Sequence, residues 1–183
     1  RHSTDGGVFL DSNGCHWSES ATAENAPLLD LRTHGWEVYN ILFVPESGYA
    51  SVRLRREETA TYPDSSHSVI THCRFISGGT RVGYGIEDYG CTSHAMFAYN
   101  EFELLEFGYK AGGVGISAPN RHHFYRNDFN ACKHDIVGDF YGTKIEENVF
   151  RTVYHATTHP NTVNCAYTSD AGVAVHGNQV FQN

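Results

Sequence analysis

Apolar residues recur along this chain at the two ends of short six-residue boxes whose fourth position is asparagine. The clearest boxes are FAYNEF ending at Phe102, FYRNDF ending at Phe129, IEENVF ending at Phe150 and VHGNQV ending at Val180. ITHCRF, ending at Phe75, has cysteine at the fourth position, and EVYNIL, ending at Leu42, is a weaker copy. Repetition of one unit along a chain predicts a solenoid, in which each unit stacks on the next.

Within each unit the residue types predict strands. No 3.6-residue apolar rhythm is present, and short pieces rich in Val, Ile, Phe, Tyr and Thr are separated by Gly, Asn, Asp and Ser. Coils of strands stacked ~4.8 Å apart pair every strand with those above and below it. Side-chain amides in such a stack hydrogen-bond along it. We therefore predict an inward column at Asn40, Cys73, Asn100, Asn127, Asn148 and Asn178, flanked by apolar positions that only Glu37 interrupts.

A second column lies between the boxes. GYGIEDYG, GVGISAPN, KHDIVGDF and VYHATTHP align Ile86, Ile116, Ile136 and Ala156. Each lies after one box and before the next, as a further strand of the same coil would. The sequence therefore predicts an all-β parallel β-helix of about six to seven rungs.

The domain prediction divides the chain after residue 26. Residues 1–26 lack the box and are interpreted as an opening or capping segment, because a solenoid has to protect its first edge. Residues 27–183 are the predicted β-helix domain. The absence of an initiating Met and the abrupt end at VFQN suggest a segment of a longer chain.

Charge and composition narrow the function classes. The net charge of −8 argues against nucleic acid as a partner, and no apolar run reaches the ~20 residues of a membrane span. We predict no cofactor. The five cysteines have no CxxC spacing, and their disulfide state stays open. A zinc site built from Asp139, His155 and His159 is a minor alternative.

The boxes alternating with GI-type strands resemble the pectate-lyase-like family of right-handed parallel β-helices, over roughly Pro27 to Asn183. Phage tailspikes, polysaccharide depolymerases, bacterial lyases and epimerases are similar. The resemblance implies a tailspike-like or related virion protein that recognises, and as a further expectation cleaves, a cell-surface polysaccharide. It also implies an extracellular or virion-surface location and a homotrimer. The alternatives are a non-catalytic structural virion or surface protein, and a secreted polysaccharide lyase or epimerase.

The second column suggests one candidate catalytic site on an outer strand face. In that alignment Asp135 stacks under His155, and Asp139 under His159. A carboxylate next to an imidazole favours its charged form and suits general acid–base chemistry. Glu87, Tyr89, Tyr141 and Tyr154 are the predicted substrate-binding residues around these pairs. The alternative interpretation is an ordinary solvated ladder of polar pairs.

The boxes suggest a second candidate site. Glu101 and Asp128 follow the asparagine in adjacent boxes, which predicts carboxylates about 5 Å apart, roughly the separation that retaining glycosidases use. Arg74 is next in this column, so the alternative is a salt-bridge ladder in which Arg74 neutralises Glu101. Whether the chain is a lyase, a hydrolase or no catalyst stays open.

Overall fold

The computed structural model of the chain describes residues 9–11, 16–18, 27–31, 35–45, 49–55, 66–78, 82–89, 92–111, 121–140, 142–152, 163–166 and 174–182. These residues form strands and the turns between them. Within these ranges no helix is long and apolar enough to cross a membrane.

The strands follow one another in triplets, one triplet for each turn of the coil. The first three rungs contain β1 (Phe9–Asp11), β2 (His16–Ser18), β3 (Leu29–Leu31), β4 (Glu37–Tyr39), β5 (Leu42–Val44), β6 (Ala50–Arg55), β7 (Val69–Thr71), β8 (Arg74–Ile76) and β9 (Tyr84–Tyr89). The later rungs contain β10 (Met96–Ala98), β11 (Glu101–Glu103), β12 (Phe107–Ala111), β13 (His123–Tyr125), β14 (Asp128–Asn130), β15 (His134–Asp139), β16 (Lys144–Glu146), β17 (Val149–Thr152), β18 (Val163–Ala166), β19 (Ala174–His176) and β20 (Gln179–Gln182).

Every third strand belongs to the same parallel sheet. Sheet 1 has the order β1-β4-β7-β10-β13-β16-β19, sheet 2 the order β2-β5-β8-β11-β14-β17-β20, and sheet 3 the order β18-β15-β12-β9-β6-β3. A chain that visits three sheets in turn and pairs only with the coil before and after it is a parallel β-helix. The predicted fold class and the six to seven rungs are confirmed.

The asparagine column is continuous through the core. Asn100 Oδ1 accepts the Cys73 backbone N–H at 2.9 Å, Asn127 Oδ1 accepts that of Asn100 at 3.0 Å, and Asn148 Oδ1 accepts that of Asn127 at 2.9 Å. Asn178 Oδ1 accepts the Asn148 N–H at 2.8 Å. These amides satisfy backbone donors that the bend between sheets 1 and 2 removes from the strand ladder.

Stacked phenylalanines run parallel to this amide column inside sheet 2. Phe43, Phe75, Phe102, Phe129 and Phe150 have ring centroids 4.6–5.1 Å apart between neighbours. All five side chains are buried. The stack supplies apolar burial to every rung it crosses.

The residue before each inward position of the amide column has a left-handed backbone. Its φ is 52–67° at Asn40, His72, Tyr99, Arg126, Glu147 and Gly177. Non-glycine residues rarely take this conformation, and here it recurs once per rung. The fixed bend turns the chain from sheet 1 into sheet 2.

The alignment of the first box is corrected by one residue. Val38 pairs with Ile70, and Phe43 pairs with Phe75. Ile41 therefore takes the inward position predicted for Asn40, while Asn40 takes the left-handed turn position. The apolar column that Glu37 seemed to interrupt contains Val38 instead.

The second predicted column is also corrected. Ile86 pairs with Tyr109, Tyr109 pairs with Ile136, and Ile136 pairs with Val163. The predicted partners Ile116 and Ala156 lie outside the described residues. The alignment failed because it used the GVGI run as the partner of β9, whereas the strand that pairs with β9 is β12.

The first strands of two sheets lie inside the segment interpreted as a cap. Leu10 of β1 pairs with Val38, and Trp17 of β2 pairs with Phe43. The stack therefore includes backbone from before Pro27, which is compatible with an opening rung that covers the next one.

Candidate functional site

Four aromatic side chains line the outer edge where sheet 1 bends into sheet 2. We call Tyr39, His72, Tyr99 and Tyr125 the aromatic ridge. Centroids are 5.1 Å apart from Tyr39 to His72 and from His72 to Tyr99, and 5.7 Å apart from Tyr99 to Tyr125. Tyr39 is 37% exposed and Tyr99 44% exposed. His72 is also exposed and is stacked on Tyr99, whereas Tyr125 is half-buried, so the ridge presents ring surface to solvent over at least three rungs.

Two repeated positions build the aromatic ridge. Tyr39 and Tyr125 are the last residues of sheet-1 strands, where alternation points them away from Val38 and Phe124 in the core. His72 and Tyr99 occupy the left-handed turn position that follows. Because both positions recur every rung, rings from successive rungs come into contact.

A cation lies against one end of the aromatic ridge. The Arg126 guanidinium carbon is 4.9 Å from the Tyr125 ring centroid, and Arg126 Nε donates to Glu147 Oε2 at 2.6 Å. The hydrogen bond to Glu147 is the main cause that raises the pKa of Arg126. The guanidinium is thus held beside the ridge by Glu147, which uses one of its five N–H donors.

Two imidazoles share one carboxylate on the same outer face. His123 Nε2 is 2.9 Å from Glu146 Oε2, and His176 Nε2 is 2.8 Å from Glu146 Oε1. Burial acts to raise the pKa of Glu146, but the His123 hydrogen bond and the nearby His123, His176 and Lys144 charges outweigh it and lower that pKa. His123 also touches Tyr125, with centroids 5.4 Å apart, so the cluster adjoins the ridge.

The acidic pair predicted from the boxes is adjacent but already paired. Glu101 and Asp128 are direct strand partners. Glu101 Oε2 accepts from Arg74 Nε at 2.6 Å, and Asp128 Oδ1 accepts from Arg151 Nε at 3.1 Å. The hydrogen bond with Glu101 is the largest cause that raises the pKa of Arg74. The observed arrangement is the salt-bridge ladder that the sequence left as the alternative.

The predicted catalytic face on sheet 3 differs from the expectation at its described residues. Asp135 is buried rather than on the outer face. In the rung before it, a Cβ on Gly108 would lie 2.7 Å from the Phe129 ring, which shows that this column points into the core. Glu87 is also buried, and its Oε2 accepts from Arg53 Nε at 2.8 Å.

The predicted stacking of aspartates under histidines is wrong in register. Asp139 pairs with Ala166, so its neighbour in the next rung is not His159. Likewise Ile136 pairs with Val163, which removes Asp135 from the register that placed it under His155. His155, His159, Tyr141 and Tyr154 lie outside the described residues, and Asp139 and Tyr89 are described by backbone alone; any role for these six stays a prediction.

A polar cluster inside the core was not predicted. Asp88 Oδ2 accepts from Tyr109 Oη at 3.1 Å and from Thr92 Oγ1, and it lies 2.9 Å from His122 Nε2. The Ala95 N–H donates to His122 Nδ1 at 3.1 Å, so Nε2 carries the hydrogen that reaches Asp88. Burial, followed by the Asp88 charge and hydrogen bond, raises the pKa of Tyr109 well above its ordinary value.

This cluster is enclosed by protein and is structural. The Asp88 and His122 side chains have no exposed surface. Its members come from three rungs, 4 to 34 residues apart, and no local motif joins them. His122 is buried whereas the adjacent His123 is half-buried, and nothing in their sequence shows which of the two enters the core.

Comparison with known proteins adds no relative: no family model, curated protein or solved structure matches the chain. The class that the structure defines is an all-β chain of three parallel sheets wound as a parallel β-helix. Its described outer features include the aromatic ridge, the His123–Glu146–His176 cluster and the Arg–carboxylate ladder.

Proposed function

We propose that this protein recognises a polysaccharide through the aromatic ridge. The observation that carries the proposal is the line of rings from Tyr39 to Tyr125, one per rung, of which the first three are exposed and the last is half-buried. A contiguous patch of exposed aromatic surface is typical of ligand-binding surfaces. The straight line of rings favours an extended ligand over a compact one.

Sugar chemistry suits the ridge and its flanks. Aromatic faces stack on the apolar faces of pyranose rings, while carboxylates and guanidinium groups hydrogen-bond hydroxyls. Glu101 and Asp128 on sheet 2, and Glu146 on sheet 1, lie on either side of the bend that bears the ridge. A chain lying along the ridge would therefore meet rings beneath it and polar groups on both sides.

The resemblance of the boxes to pectate-lyase-like β-helices supports the same proposal. That family includes phage tailspikes, and within the proposal the protein is a tailspike-like or related virion protein that meets its polymer at the cell surface as a homotrimer. The described carboxylates favour recognition over cleavage. Glu101 and Asp128 are each held in an ion pair with an arginine.

The proposal is tested by removing one ring of the ridge. Tyr99→Ala should weaken binding to the cognate polymer about tenfold, or about 1.4 kcal/mol, because a stacking ring is lost. His94→Ala is the matched control, since His94 has the same φ of 57° and is exposed at a different turn. Affinity would be measured by electrophoresis through gels containing a panel of bacterial surface polysaccharides.

Equal affinity of the wild type and Tyr99→Ala for a polymer that binds would contradict the proposed use of the ridge. Binding of no polymer in the panel would contradict the proposed function itself. A loss as large in His94→Ala as in Tyr99→Ala would point to a general effect on folding, which circular dichroism and thermal unfolding of both variants would identify.

A further inference from the structure

We infer that the polymer recognised by the aromatic ridge is electrically neutral, an inference that rests on the proposed function. The observation behind it is the state of the charged groups around the ridge. Rings alone do not distinguish neutral from acidic sugars, because both have apolar ring faces. The charges that flank the rings do distinguish them.

Anionic residues outnumber cationic ones on this surface. We define the ridge face as the outward side chains of sheets 1 and 2 and of the bend between them, within the described residues. Its four cationic residues are Arg74, Arg126, Lys144 and Arg151, and its six anionic residues are Glu37, Glu101, Glu103, Asp128, Glu146 and Glu147. A polyanion approaching the face would therefore meet net repulsion.

The arginines of the ridge face are already neutralised. Arg74 is paired with Glu101 at 2.6 Å, Arg126 with Glu147 at 2.6 Å, and Arg151 with Asp128 at 3.1 Å. A carboxylate or sulfate on a polymer would have to displace a protein carboxylate to gain any of these cations. Lys144, the remaining cation, is exposed and has no ion pair with a described residue, so it is the only described cation of the face that a polyanion would gain without displacing a carboxylate.

The imidazoles of the ridge face are already in contact with other side chains. His123 and His176 both contact Glu146, and His72 lies between Tyr39, tilted by 57°, and Tyr99, stacked within 20°. Counted over Asp, Glu, Lys and Arg, the ridge face has two more anionic than cationic residues, and this balance favours a neutral chain.

Paired ions still recognise hydroxyl groups. Each guanidinium has five N–H donors, and only one or two are used by its carboxylate partner. The carboxylates of the pairs keep lone pairs that accept from sugar hydroxyls. A neutral chain gains these hydrogen bonds without breaking an ion pair.

The test compares neutral and anionic probe polymers at pH 8 and low salt. Dextran and galactomannan are the neutral probes, and polygalacturonate and alginate are the anionic ones. We expect the wild type to bind a neutral probe, with affinity reduced in Tyr99→Ala and little changed by added salt. Tighter binding of an anionic probe, lost in Tyr99→Ala, would overturn the inference and leave the proposed function standing. Binding of none of the four would overturn the inference, whereas the panel of bacterial surface polysaccharides tests the proposed function separately.

Two charge variants test directly whether pairing of the arginines excludes anionic polymers. Glu147→Gln removes one negative charge and frees Arg126 beside the ridge, whereas Glu37→Gln removes one negative charge and frees no arginine described here. We expect Glu147→Gln to gain affinity for polygalacturonate and Glu37→Gln to gain none. An equal gain in both, or a gain in neither, would overturn the claim that pairing of the arginines excludes anionic polymers.

Discussion

At the residue scale, the Asn127 side chain makes four hydrogen bonds inside the core, through both its oxygen and its nitrogen. Its Oδ1 accepts the Asn100 backbone N–H at 3.0 Å and the Asn100 Nδ2 at 3.1 Å, while its Nδ2 donates to the Phe97 carbonyl at 2.9 Å and to Asn148 Oδ1 at 2.9 Å. The side chain thus joins three rungs of the stack. Removing it leaves buried donors and acceptors without partners.

Asn127→Ala should lower the free energy of unfolding by about 2–4 kcal/mol, because several buried groups lose a hydrogen bond. Urea denaturation followed by circular dichroism measures the change. Asn178→Ala is the matched control at the end of the same column, where the side chain is only half-buried. A loss in Asn178→Ala at least as large as in Asn127→Ala would contradict the account of the column.

Cys73 occupies an asparagine position and gives the fold a dependence on alkaline pH. Burial raises the pKa of this thiol from 9.0 to about 11. The unfolded chain therefore releases the proton at a lower pH than the folded chain does. The stability that this thiol contributes is fully present below pH 9 and is lost as pH rises toward 11.

We expect the wild type to lose about 2–3 kcal/mol more than Cys73→Ala between pH 8 and about 11, from a shift of about two pKa units. Urea denaturation at a series of pH values measures the difference between the two proteins. Tyrosines also titrate in this range, but they are common to both proteins and cancel in the comparison. Parallel pH profiles for the two would show that Cys73 ionises equally in both states.

At the scale of the strands and turns, the buried Asp88 cluster ties sheet 3 to the turns before sheet 1. Asp88 lies in β9, and Tyr109 lies one rung later in β12. Thr92 and His122 lie in the turns that precede β10 and β13. Loss of the carboxylate would leave three buried donors unsatisfied. The ion pair of Arg74 and Glu101 differs from this cluster because its side chains are exposed to solvent.

Asp88→Ala should destabilise the protein by about 3–5 kcal/mol, because a buried polar network is broken. Glu101→Ala should cost less than about 1 kcal/mol, because an exposed pair gains little over water. Thermal unfolding and urea denaturation compare the two. A cost for Asp88→Ala no greater than that for Glu101→Ala would mean that the cluster adds little to the stability of the fold.

The strands of sheets 1 and 2 could be predicted from the sequence, whereas the register of sheet 3 could not. Boxes with fixed internal spacing gave the strands of sheets 1 and 2, and their pairing from Ile70 to Val175 is confirmed. The first box was misaligned because Asn40 stands one residue before the inward position. Sheet 3 was misaligned because loops of unequal length precede and follow its strands, so strand spacing no longer marks register.

Only part of the candidate site could likewise be predicted from the sequence. Neighbouring carboxylates Glu101 and Asp128 follow from box spacing alone, and Arg74 was visible as a partner in the same column. Arg151 lies two residues after Val149, the strand partner of Asp128, and it ion-pairs with Asp128 diagonally across the two strands. Alignment of the boxes compares only direct strand partners and does not reveal this pair. The aromatic ridge was missed because two of its rings lie at a turn position, outside the strand alternation that was used to predict outward faces.

At the scale of the whole molecule, a β-helix converts a repeated residue position into a line along its axis. Amides form one line, phenylalanines a second, and the outer rings of Tyr39, His72, Tyr99 and Tyr125 a third. The first two lines hold successive rungs together. The third has no structural need to be exposed, and it is the basis for proposing an extended sugar chain as the ligand.

The most direct measurement of this claim is hydroxyl-radical footprinting of the protein with and without a bound polysaccharide. We expect oxidation of Tyr39 and Tyr99 to fall when the polymer is added, and oxidation of Tyr84 on sheet 3 to stay unchanged. Tyr84 is the internal control, since it is half-buried and lies under Lys110 Nζ, 4.7 Å from its ring centroid. Protection of Tyr84 with no protection of Tyr99 would contradict the account and move the binding surface to sheet 3.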